Sequence, residues 1–172
     1  WLTKNATHMI YDGLVELELG KPEEAWATLR PALAESWTVS DDGRTYTFNL
    51  HKGVKFHDGT DFNAEAAKWN YDRFSNPEVP HYNKVGAAYL SFYGRWIEST
   101  RVIDEHTFEI TLIQPHYEWL QVGQSSCGQP EMISPAAWEK YGDEDLALNP
   151  VGTGPFRFVS REIDVMVVLE RN

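Results

Sequence analysis

Apolar and polar residues alternate over Leu14-Val15-Glu16-Leu17-Glu18-Leu19 and then meet Gly20-Lys21-Pro22. Alternation puts every second side chain on one face, so this stretch predicts a strand that ends in a turn. Trp37-Thr38-Val39-Ser40 and Thr45-Tyr46-Thr47-Phe48-Asn49-Leu50 flank Asp41-Asp42-Gly43-Arg44, which predicts a hairpin. The Asp-Gly pair readily supplies the positive φ of a tight turn. A second turn is expected at His57-Asp58-Gly59-Thr60. Asn63 then reads as a helix cap, with Glu65 in the first turn where the helix dipole favours negative charge. Ala67, Tyr71 and Phe74 share one face of that helix, and Asn76-Pro77 ends it.

Further along, Tyr82, Val85, Tyr89, Phe92 and Trp96 recur at helical spacing, interrupted by Gly86 and Gly94. Residues 99–104 and 107–112 predict another hairpin, with Phe108, Ile110 and Leu112 on one face. Gln114-Pro115 stops it, residues 117–122 predict a short helix, and residues 123–131 a polar loop. Ser134-Pro135 starts a helix that Gly142 is expected to end. Residues 156–160 and 165–170 predict a final strand pair. Strands, helices, strands, helices and strands follow one another without long βαβ alternation, which indicates an α+β fold.

Of the 172 residues, 42% are hydrophobic and 13% aromatic, enough for a real core. The seven Trp, eight Tyr and eight Phe serve either strand-rich packing or a stacking surface for a ligand. A net charge of -11 argues against nucleic-acid phosphates or an anionic membrane as partners. The sequence contains no apolar run long enough to span a bilayer and does not open on a signal peptide. The single cysteine, Cys127, has no partner for an internal disulfide.

Gly152-Thr153-Gly154-Pro155 superficially suggests a phosphate loop. Such a loop opens onto a helix, whereas here a strand is expected to follow, so a tight crossover fits better. His8, His51, His57, His81, His106 and His116 form no i, i+4 pair of the zinc-protease kind, and no Cys-x-x-Cys occurs. No metal site or cofactor is expected. Cys127 with His116 is the one conceivable nucleophile and base, and Ser125-Ser126 lacks the nucleophile-elbow glycines. No catalytic residues are assigned, and an enzyme is not expected.

Several motifs stand in a telling order. They are Tyr11-Asp12-Gly13-Leu14, Leu33-Ala34-Glu35-Ser36-Trp37, Ser40-Asp41-Asp42-Gly43, Phe56-His57-Asp58-Gly59-Thr60 followed by Ala64-Glu65, and Asn149-Pro150-Val151-Gly152-Thr153-Gly154-Pro155-Phe156. Together they resemble the N-terminal part of family 5 extracellular solute-binding proteins, the peptide and nickel receptors of bacterial ABC importers. The resemblance implies a periplasmic-binding-protein-like lobe with a small inserted α/β subdomain. Residues 1–38 would open the main lobe, residues 39–148 form the insert, and residues 149–172 return to the main lobe. An opening strand before Trp1 and a second ligand-binding lobe after Asn172 are expected to lie outside the chain. The implied partners are a peptide or other small solute, that second lobe and ABC permease subunits. The implied place is the periplasm, or the outer face of the membrane through a lipid anchor.

By the same resemblance, two stretches carry ligand contacts: His81, Tyr82 and Asn83, and then Cys127, Gln129 and Glu131. Nickel receptors present arginines at the second stretch to pair with a chelator's carboxylates. This sequence offers Glu131 there instead. A peptide or an uncharged-to-cationic solute is therefore favoured, with a nickel or metal-chelate receptor as the alternative. Pro77 and Pro80 predict that residues 75–83 leave the helix as an exposed loop. Tyr82 then either faces a ligand or makes the first apolar contact of the next helix, with Val85 and Tyr89.

Overall fold

The structure is a computed structural model, and it describes residues 4–18, 28–121, 130–162 and 165–172. The chain divides into two compact units. Unit 1 comprises Trp1–Asp12, Gly53–Phe62 and Glu131–Asn172; unit 2 comprises Gly13–Lys52 and Asn63–Pro130.

Unit 2 is built on an antiparallel sheet. Its strands are β3 (Ala34–Val39), β4 (Thr45–Leu50), β5 (Ile97–Asp104) and β6 (Thr107–Leu112), in the order β3-β4-β6-β5. The alternating sequences dictate this register. Tyr46 stands opposite Ile110 and Phe48 opposite Phe108, so the apolar sets of β4 and β6 fall on one face. Tyr46, Phe48, Leu50, Phe108, Ile110 and Leu112 are all buried. Gly43, at φ 70°, makes the β3–β4 turn that Asp-Gly predicted. A two-stranded ribbon, β1 (Val15–Glu18) with β2 (Thr28–Pro31), precedes the sheet. The second strand of that ribbon was not anticipated, and the turn expected at Gly20-Lys21-Pro22 lies outside the described residues.

Helix α2 (Ala64–Ser75) covers the apolar face. Its buried side carries Ala67, Tyr71 and Phe74, as the periodicity predicts. The Tyr71 ring lies 5.4 Å from Phe108, tying helix to sheet. Asn63 caps the helix by accepting the Ala66 N–H at 3.0 Å. Asn63→Ala is expected to cost about 0.5–2 kcal/mol, with Asn63→Ser recovering most of it. Urea melts of the two variants check this, and an unchanged Asn63→Ala curve would mean that another group starts the helix.

The helix expected over residues 82–96 is two short pieces, α3 (Lys84–Tyr89) and α4 (Ser91–Gly94), broken at Leu90. Val85 is 81% exposed and Tyr89 62%, so the predicted apolar stripe is not a core face. Tyr93, just off that stripe, is the buried residue instead, at 1% exposure. Gly94 explains the choice: a Cβ there would stand 2.9 Å from the Phe74 ring, so only glycine lets α4 approach α2 this closely. Residues 119–121 are helical, beginning two residues after the expected start at 117, and residue 122 lies outside the described residues. Trp119 is buried, with its ring stacked on Tyr93 at 4.2 Å.

Unit 1 contains α1 (Lys4–Ile10), the turn segment Gly53–Phe62, α5 (Pro135–Leu146) and a hairpin of β7 (Phe156–Glu162) with β8 (Met166–Arg171). Ser134 caps α5 by accepting the Ala137 N–H, with Pro135 at the first turn. Gly142 adopts φ 66° inside α5 and kinks it, but the helix resumes to Leu146 rather than ending there. His57 ties the turn segment to the glycine-rich loop. Its N–H donates to Gly152 O at 2.9 Å, and its ring Nε2 lies 2.8 Å from Gly154 O. A carbonyl only accepts, so Nε2 carries the proton and Nδ1 faces the Gly152 N–H at 3.4 Å. The Gly154 N–H in turn donates to Ile10 O at 2.8 Å. The loop joins α5 to β7, is held by backbone contacts, and is followed by a strand as predicted.

Candidate ligand-binding surfaces

The first predicted stretch lies in unit 2, where α2 ends and the chain turns. His81 stacks on Trp69 with ring centroids 4.4 Å apart and planes 15° off parallel. Its Nε2 is 3.2 Å from Trp69 O, and Arg73 donates to His81 O at 3.1 Å. The Arg73 guanidinium also sits 5.7 Å from the centre of the Trp69 ring, within cation–π range. Burial lowers the His81 pKa, only partly opposed by the hydrogen bond to Trp69 O, so the ring favours its neutral form. Tyr82 is half-buried beside this stack, and its N–H donates to Val79 O. Asn83 accepts the Gly86 N–H at 2.7 Å through its side chain, which commits that oxygen to capping α3.

The result is a partly exposed aromatic and cationic corner: Trp69, Arg73, His81 and Tyr82. Flat rings give stacking area at low entropic cost, and a guanidinium pairs with carboxylates or carbonyls. Sequence reasoning found His81 and Tyr82 but missed Trp69 and Arg73. A signal existed. Both residues sit on α2 off the Ala67-Tyr71-Phe74 face, and a tryptophan on the outer side of a helix invites explanation.

Glu131, from the second stretch, belongs to unit 1; Cys127 and Gln129 lie outside the described residues. Among the described residues, three groups interact with Glu131. His8 Nδ1 is 3.7 Å from its carboxylate, Asp12 acts on it as a like charge, and Tyr11 feels its charge in return. Burial first, and the Asp12 charge second, raise the Glu131 pKa from 4.5 to about 7. Burial first, and Glu131 second, push the Tyr11 phenol upward. Asp12 is held from the other side by the Thr153 hydroxyl at 2.8 Å, and its carbonyl accepts the Met132 N–H at 2.9 Å. Residues 8–12 are far from residue 131 in sequence, so nothing local marks this cluster.

A polar groove of about 390 Å³ runs between α2 and β5 in unit 2. Its most buried charge, Asp72, is already paired with Lys68 and accepts the Thr100 hydroxyl at 2.5 Å. The groove therefore holds self-satisfied structural groups. No helix among the described residues is long and apolar enough to cross a membrane.

The family model described as bacterial extracellular solute-binding proteins, family 5 Middle, matches residues 28–172. The chain belongs to this family. The glutathione-binding protein GsiB of Escherichia coli O1:K1 / APEC is 48% identical over 130 residues, which are 74% of this chain and 23% of that protein. The chain thus spans about a quarter of the length of the curated relatives it matches. Among solved structures, the periplasmic binding protein DppA of Helicobacter pylori, in complex with peptide STSA, superposes with a TM-score of 0.79 at 30% identity. That match covers 97% of this chain and 34% of DppA. NikZ of Campylobacter jejuni, in complex with Ni(L-His), gives a TM-score of 0.79 at 25% identity, over 97% of this chain and 31% of NikZ. GsiB and DppA are named as binding proteins, and the α+β architecture is that of the matched lobes. Within this family 5 chain, the Gly152-Thr153-Gly154 loop is bonded to His57, the residue before the Asp58-Gly59-Thr60 turn, and both lie in unit 1.

Proposed function

We propose that the chain is part of the substrate-binding component of a bacterial ABC importer. It takes a peptide or a similar small solute outside the cytoplasmic membrane and passes it to the permease subunits. It is a binding module and carries out no chemistry on its cargo. The observation that carries this reading is the likeness to the glutathione-binding relatives over most of the chain. In this reading, residues 1–38 and 149–172 belong to the main lobe and residues 39–148 to an inserted subdomain. The two chain ends share unit 1, which supports this reading, although residues 13–38 fall in unit 2 and residues 53–62 and 131–148 in unit 1. A metal-chelate receptor is the second reading, favoured by the likeness to NikZ.

The corner of Trp69, Arg73, His81 and Tyr82 is the ligand surface of unit 2 in this proposal, and Glu131 that of unit 1. Cys127 and Gln129 complete the proposed contacts, and Asn83 supports the corner as a cap. Exposed Val85 and Tyr89 offer Tyr82 no buried stripe to join, which favours the ligand role over core packing. Calorimetry of the natural gene product against glutathione, short peptides and nickel–histidine tests the reading. Saturable binding of a peptide-class solute is expected; binding of the nickel chelate with no peptide response would replace the first reading by the second. Tyr82→Ala should weaken affinity about tenfold while leaving stability within about 0.5 kcal/mol. If stability falls by several kcal/mol and affinity holds, Tyr82 is a core residue.

A further inference from the structure

Glu131 is a sheltered carboxylate without a hydrogen-bond donor. Its side chain is 26% exposed, and none of the described residues donates to it. Its one ionic neighbour among them is His8, whose half-exposed ring brings Nδ1 to 3.7 Å, beyond hydrogen-bond range. Other sheltered carboxylates of the chain are provided for. Asp12 accepts the Thr153 hydroxyl at 2.8 Å, and Asp72 accepts from Lys68 and from the Thr100 hydroxyl. Glu109 accepts from Arg101 at 2.9 Å. The exception is set by the fold. The Met132 N–H donates to Asp12 O at 2.9 Å and the Met132 side chain is buried, which fixes the backbone beside Glu131. An ionised carboxylate removed from water is costly unless a donor replaces the lost water. Burial, the larger cause, and the charge of Asp12 raise the Glu131 pKa to about 7, so below that the proton itself fills the role.

We propose that Glu131 is a specificity-determining residue that receives the ammonium group of the solute. This rests on the reading of the chain as a peptide-class receptor. An ammonium brings three N–H donors and a positive charge, and every unblocked peptide carries one at its amino end. Bound there, it donates to the Glu131 carboxylate and takes the place of the proton, which leaves to solvent. A solute without that group would cover the carboxylate and leave it unpaired. Discrimination of this kind is large, because the site is built around a donor that the wrong solute lacks. A solute presenting an anion would meet a like charge instead. The amino end of the cargo is thus read in unit 1, and peptides with a blocked amino end are rejected.

Calorimetry of the natural gene product tests this with glutathione and Ala-Ala-Ala, each beside the analogue in which hydrogen replaces the α-amino group. Loss of the amino group should weaken binding by about tenfold or more. In Glu131→Gln each parent should lose a similar factor while its analogue holds, so that the gap closes. Equal binding of parent and analogue by the unaltered protein overturns this inference alone and leaves the peptide reading standing. A gap that persists in Glu131→Gln overturns it as well, because the amino group is then read elsewhere. No saturable binding of either parent overturns the peptide reading and this inference with it. Should the variant not fold, the carboxyl-carbon resonance of Glu131 in the unaltered protein decides at about pH 6. It should move to the ionised position with the parents and not with the analogues; a resonance that stays in place with the parents overturns the proposal.

Discussion

Gly152→Ala is expected to lose about 3 kcal/mol or more of folding stability, the largest effect of any single methyl group in unit 1. A Cβ at this position would stand 2.2 Å from Ile10 O and 2.5 Å from the Tyr11 ring. The first obstacle is backbone, which cannot swing aside as a flexible side chain would. The loop would have to withdraw from α1, straining the Gly154–Ile10 bond and both His57 contacts. Gly59→Ala is the informative control. Its φ of 85° strains any L residue, yet a Cβ there meets nothing within 4 Å. It should cost only about 1–2 kcal/mol, the ordinary penalty of a left-handed backbone. Denaturant melts of the two variants separate close approach from backbone strain. Wild-type stability in Gly152→Ala would show that the loop does not lie against α1.

Trp119→Ala should destabilise unit 2 by about 3–5 kcal/mol. The ring is 1% exposed, 4.2 Å from Tyr93 with planes 13° apart, and 5.1 Å from Tyr46. Its Nε1–H donates to Tyr93 O at 3.1 Å, so truncation opens a cavity and also removes one donor from that carbonyl, leaving it the Trp96 N–H at 3.3 Å. Trp119→Phe keeps an aromatic ring but not the donor and should lose about 1–2 kcal/mol from the hydrogen bond. Urea unfolding followed by far-ultraviolet circular dichroism provides the measurement. A loss below about 1 kcal/mol in Trp119→Ala would mean that the helical turn at residues 119–121 is not docked on α4.

The sheet of unit 2 was readable because its evidence is local. Strict alternation in β4 and β6, and an Asp-Gly turn between β3 and β4, each occupy a handful of neighbouring residues. The cap at Asn63 was readable for the same reason. The stretch from Tyr82 to Trp96 misled because spacing alone does not say which way a helix faces. Val85 and Tyr89 kept the period yet point to solvent, while Gly94, read as a helix weakener, proved to be the close contact with Phe74. Around the candidate site the limit was distance along the chain. His81 was found from its own segment, but its stacking partner Trp69 belongs to the preceding helix. Glu131 was singled out as an unusual acid in place of an arginine. Its pKa is raised by burial and then by the charge of Asp12, and no periodicity links residue 12 to it.

The chain changes unit after Asp12, after Lys52, after Phe62 and after Pro130. That interleaving sets an order of assembly during synthesis. Apart from the short excursion Gly53–Phe62, unit 2 is one stretch of chain that is fully made once Pro130 has been added. Its sheet and α2 can close while the remainder is still being translated. Helix α1 emerges before unit 2, but its partners at Gly152 and Gly154 are made more than a hundred residues later. At about 5–20 residues per second, that interval lasts about 7–30 seconds. During it, the apolar end of α1 around Ile10 has no native surface to meet. Until the Gly152-Thr153-Gly154 loop is made, the end of α1 is therefore an apolar surface open to misassociation, and the arrival of that loop ends the exposure.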